Sequence, residues 1–170
     1  MTQELVDLKH SIMEGRYTDA LAIVDELDGM SKQAILRNIQ SFLVRMIIHL
    51  IKNQVEQRLT NSWAASIEDS ILEIKNLNLK ENKTSYYINA NAWEEMLEDA
   101  LESAIRPASL EVLNGKFKRS QLSKMLDKPQ IILNASELLA LTYTYSIKEL
   151  PDIIDDFLAQ LPGGQDWLNS

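Results

Sequence analysis

The stretch between residues 35 and 51 limits the fold more than any other part of the chain. Ile35, Ile39, Phe42, Leu43, Met46, Ile47, Leu50 and Ile51 recur at steps of three and four, which puts them on one face of an α-helix for about five turns. So wide an apolar arc needs neighbours on more than one side, and the spacing predicts a central helix over about 31–56. Five Gly and four Pro in 170 residues leave few breaks for an all-β chain, and that length suits one core rather than two. The expected fold is all-α: a single-domain bundle of about six to eight helices around the long central one.

The flanking segments show the same period. Thr2 can cap a helix carrying Leu5, Leu8 and Ile12, with Gly15 as its stop. Thr18 can cap a second helix, TDALAIVDELDG, with Leu21, Val24 and Leu27 on one face and Gly29 ending it. These two predict a helical hairpin, and Ser31 then opens the central helix. Thr60 begins a helix with Trp63, Ile67, Ile71 and Ile74 on one face. NLNLKENKTSYY has no period and predicts an internal loop over about 76–88, open to proteases.

Trp93, Leu97, Leu101 and Ile105 predict a further helix, which Pro107 should end or kink before Asn114-Gly115 closes the unit. A short helix is expected near 120–126, another from Pro129 through Leu141, and a last one at PDIIDDFLAQL. TYTYS alternates like a strand but has no partner, so it is read as a helix end or an extended connection. The predicted domain is 1–160, with 161–170 a tail free to fray. No internal repeat is present.

Charge and composition narrow the partners. A net charge of −8 opposes attraction to phosphate backbones and anionic membranes. The absence of cysteine excludes disulfides, thiolate catalysis and Cys-held metals, and fits a reducing compartment such as the cytoplasm. The first residues carry Glu4 and Asp7 and no apolar signal core. The apolar run 42–51 is half of what spans a bilayer, so no membrane segment is expected.

The candidate functional residues gather on the central helix. Arg45, His49 and Lys52 stand at i, i+4 and i+7 and share one stripe. With Glu26 from the preceding helix they are the best candidate ligand, metal or catalytic group; the plainer reading is a polar seam, with Arg45 paired to an acid on a neighbouring helix. His10 and His49 are the only histidines, and the carboxylate and Glu-x-x-His pattern of a di-iron bundle is missing. Glu94, Glu98 and Glu102, beside Glu95 and Asp99, form an acidic helix face that suits a basic protein partner better than catalysis.

The cations Lys116, Lys118, Arg119, Lys124 and Lys128 surround Phe117 and offer a weak nucleic-acid site over 116–128. They suit a solvated linker better, or a dock for the acidic segment at Asp152, Asp155 and Asp156. No phosphate-binding glycine loop or nucleophile elbow occurs, and no cofactor is expected.

Asp25-Glu26-Leu27-Asp28-x-Met30, followed by His49-Leu50-Ile51-Lys52 and then Ser62-Trp63 and Ile67, resembles a bacterial family abundant in cyanobacteria, known as domain of unknown function number twenty-nine. The motifs cover about 15–74. The chain departs from the family pattern at Asn53, where that pattern often has Trp, and lacks its Gln-Pro before Ser-Trp. The resemblance implies an all-α fold, carries no established activity or cofactor, and makes His49, Lys52 and Trp63 motif members. The leading expectation is a non-enzymatic protein–protein interaction module that can self-associate into a homo-oligomer. An enzyme or ligand site at Arg45, His49 and Lys52, and nucleic-acid binding through 116–128, are the alternatives.

Overall fold

The computed structural model describes residues 2–170, and the chain is all-α. Among the described residues eight α-helices and one 3-10 turn follow in order: α1 Gln3–Met13, α2 Tyr17–Glu56, α3 Asn61–Asn78, α4 Glu94–Glu111, the 3-10 turn Val112–Gly115, α5 Arg119–Met125, α6 Lys128–Thr144, α7 Leu150–Leu158 and α8 Gly164–Leu168. The chain divides into two compact units, Met1–Asn38 and Ile39–Ser170.

In the first unit the Thr2 hydroxyl accepts from the Leu5 N–H (3.4 Å) and starts α1. Gly15 at φ +73° turns the chain into α2, as a left-handed position demands. Arg16 holds that turn with ion pairs to Glu14 (2.9 Å) and Asp19 (3.0 Å). α2 then runs unbroken through Gly29, where a second helix was expected to stop. Gly29 is not among the glycines with positive φ and stays helical; a helical glycine costs only about 1 kcal/mol against Ala, less than giving up a turn of hydrogen bonds.

The apolar stripes of the hairpin are largely uncovered. The fully covered residues of this unit are small, Ser11 and Ala20. Leu5 and Ile12 on α1, and Leu21 and Val24 on α2, remain 42–65 % exposed.

In the second unit, α2 contributes Ile39, Leu43, Met46, Ile47, Leu50 and Ile51, all essentially free of solvent. α6 packs on α3, α4 and α7, α3 also on α7, and α5 on α4. Ile67, Ile71 and Ile74 of α3, and Leu97 and Ile105 of α4, complete that core at 0 % exposure. By length and composition α2 is also long enough and apolar enough to cross a membrane, which the uninterrupted run 42–51 is not. Its buried face from Ile39 onward is covered by protein.

Thr60 caps α3 as expected, accepting from the Trp63 N–H (3.1 Å). α4 passes through Pro107 and continues to Glu111. The connection after α3 begins only at Leu79 and is less open than its polarity suggests. Asn78, 1 % exposed, donates to the Ile88 carbonyl (3.0 Å) and accepts from the Ile88 N–H (2.8 Å), clamping the far end of the loop to α3. TYTYS belongs to the end of α6, and Tyr143 joins this clamp.

The last ten residues, expected to fray, contain the five-residue α8 and are docked in the second unit. Asn53 donates to the carbonyls of Arg58 (3.0 Å) and Pro162 (2.8 Å), and the Trp167 indole N–H donates to Asn61 (2.9 Å). Gly163, at φ +71°, lies so close to Arg58 that a Cβ would come within 2.7 Å of its Cα. The Gly-Gly pair therefore serves close packing.

Candidate functional site

The stripe Arg45, His49 and Lys52 lies on one helix of the second unit, and its three members have different environments. Arg45 reaches solvent and places Nη1 2.7 Å from Asp69 Oδ2 on α3. Both side chains are about half exposed (45 % and 50 %), so the pair contributes at most about 1 kcal/mol. His49 is half-buried, and its Nδ1 is buried with no hydrogen-bond partner among the described residues. Burial, reinforced by the Lys52 and Arg45 cations and opposed by Glu111, lowers its pKa to about 4. It is therefore neutral at pH 7.

Lys52 is buried. Its Nζ lies 3.5 Å from Glu111 Oε1 on α4 and 4.8 Å from the centre of the Trp63 ring. The Arg58 guanidinium stands 4.6 Å from the same ring, so two cations use one indole face system. The structure thus joins Lys52 to Trp63. Glu26 is an exposed residue of the first unit, on the same helix as His49 and not on a preceding one.

Residues without a sequence signal complete this corner. Glu56 accepts from Arg58 Nε (3.0 Å) and from the Leu113 N–H (3.3 Å). Leu113 and Asn114 take left-handed φ values of 46° and 58°, an uncommon state for leucine. Together Lys52, Glu56, Arg58, Trp63 and Glu111 border a cleft of about 540 Å³. Each cation there has its own carboxylate, so the cleft is self-neutralised. His49 does not line it, and no group of three or more His, Asp or Glu could hold a metal among the described residues.

A larger groove lies between α4 and α6, with a volume of about 930 Å³. Trp93, Leu101, Ile132 and Leu133 supply its apolar wall, and Glu94, Glu98 and Asp99 its rim. Lys128 also lines it and pairs with Glu102 (2.9 Å). The basic segment therefore meets α4: no ion pair among the described residues joins it to Asp152, Asp155 or Asp156. Burial and the neighbouring charges of Asp152 and Asp156 push the Asp155 carboxyl above its ordinary value.

A family model described as "Domain of unknown function DUF29" matches residues 13–129, well over half of the chain. No curated protein and no solved structure matches.

Proposed function

We propose that this chain, which belongs to the DUF29 family, is a non-enzymatic protein–protein interaction module that pairs with a second copy of itself through its first unit. The observation that supports this is the exposure of that unit's apolar stripes. Seven large apolar side chains between Leu5 and Met30 stand 42–73 % exposed, and Tyr17, Leu21 and Val24 among them fall at i, i+4 and i+7. Clusters of that kind mark interaction surfaces rather than ordinary surface scatter.

Two hairpins brought together about a two-fold axis place each stripe against its own copy, the commonest closed arrangement for soluble oligomers. Covering a half-exposed large side chain is worth about 1 kcal/mol. Seven from each copy, about 14 kcal/mol if all are covered, are then comparable with the roughly 4–15 kcal/mol that association costs, which leaves at most about 10 kcal/mol net and makes the pairing concentration-dependent. The cleft at Trp63, whose Lys52 and Arg58 are each held by a carboxylate, favours interaction over catalysis.

Light scattering on a concentration series tests this, with Leu21→Glu and Val24→Glu as variants whose exposed positions spare the monomer fold. The wild type should rise toward the dimer mass and both variants stay monomeric. A wild type monomeric up to a few hundred micromolar, or variants that pair as well as it does, would overturn the reading.

A further inference from the structure

The groove between α4 and α6 combines three properties that together describe an occupant. Its wall is apolar, and Leu133 stands 50 % exposed at its edge. Its rim is acidic: Glu94, Glu98 and Asp99 make no ion pair among the described residues, and the one lining cation, Lys128, is taken by Glu102. Its floor is fixed, because Trp93 is 4 % exposed and its indole N–H donates to the Tyr143 hydroxyl (2.8 Å).

We infer that this groove docks a basic amphipathic helix of a partner protein. The α4 side runs from Glu94 to Glu102, a rise of about 12 Å, which matches the i, i+4 and i+7 anchors a helix lays into a groove. Apolar anchors would meet Trp93, Leu101 and Leu133. Lysine or arginine flanking them would meet the rim, where Glu94 and Glu98 stand one turn apart with Asp99 beside them. Charge complementarity selects such a partner over a second copy of this chain, whose net charge is −8. A fixed floor reduces the ordering cost of binding.

The test uses the full chain and a synthetic Leu/Lys amphipathic helix of about four turns, with a scrambled peptide of equal charge as control, followed by calorimetry. The amphipathic probe should bind one to one and weaken with salt, and the scrambled peptide should bind at least tenfold more weakly, roughly the loss of one anchor. Combined Glu94→Gln, Glu98→Gln and Asp99→Asn should weaken binding roughly tenfold at low salt. Leu133→Glu should abolish it with an unchanged melting curve, while Leu21→Glu, which breaks the hairpin pairing, should leave it intact. No binding at low salt, equal binding of the scrambled peptide, or full binding by Leu133→Glu would overturn the inference. So would a loss of self-association in Leu133→Glu, which would assign the groove to a second copy.

Discussion

Tyr143→Phe removes one oxygen atom and tests the polar knot that fixes both the loop after α3 and the groove floor. The Tyr143 hydroxyl donates to the Ile88 carbonyl (2.6 Å) and accepts from Asn78 Nδ2 (3.0 Å) and Trp93 Nε1 (2.8 Å). Its one proton and both lone pairs are used. Phenylalanine fills the same space, so no cavity contributes. What is lost is the acceptor of two donors, one on buried Trp93 and one on buried Asn78. An orphaned buried donor costs about 1–3 kcal/mol; Asn78 keeps its bond to Ile88, and water can reach half-buried Tyr143, which puts the total at about 2–4 kcal/mol.

Urea unfolding at pH 7 reads that loss, and limited proteolysis reads its location, since cleavage between residues 79 and 93 should accelerate. Tyr86→Phe is the matched control. Its ring packs edge-on against Tyr143, 4.7 Å away at 67°, and it loses the same atom without touching the knot. If Tyr143→Phe costs less than about 0.5 kcal/mol, or no more than Tyr86→Phe, the reasoning about this knot is wrong.

Two further substitutions address separate points. Gly29→Ala should stabilise the protein by about 0.5–1 kcal/mol in thermal unfolding, because a Cβ there meets nothing within 4 Å and the backbone is helical; a helix that ended at Gly29 in a left-handed turn would be destabilised instead. For His49 the folded pKa of about 4 lies below the ordinary 6.5, so the unfolded chain binds the extra proton between those values. The stability this residue contributes is present above pH 6.5 and is lost as pH falls toward 4. Urea midpoints of His49→Leu measured from pH 7 to pH 4 should therefore gain on the wild type as pH falls, and a constant difference would contradict the burial of His49.

Local signals in the sequence specify most element positions. Thr2, Thr60 and Pro129 mark helix starts within a residue or two of where they occur, because a cap is a short-range hydrogen bond or a fixed φ. Gly29 misleads because glycine ends a helix only when its φ turns positive, which composition does not reveal. Periodicity placed Leu5, Ile12, Leu21 and Val24 on faces correctly, but a period cannot say what covers a face. The Asn78–Tyr143 clamp and the approach of Glu111 to Lys52 join residues 65 and 59 positions apart, and no window along the chain reports such pairs. The stripe on α2 was legible as geometry. Its division into a solvent ion pair, a neutral half-buried imidazole and an indole-bound lysine depends on α3 and α4.

The chain has no cysteine, so single cysteines introduced one at a time over residues 17–28 give the most direct test of the pairing through the first unit. A disulfide between copies requires Cα atoms about 4.4–6.8 Å apart. Self-pairing along α2 predicts that oxidative dimer yield peaks at positions 17, 21 and 24 and falls between them with helical period. A flat yield, or none at any position while a control cysteine replacing exposed Glu137 on α6 does as well, would contradict it.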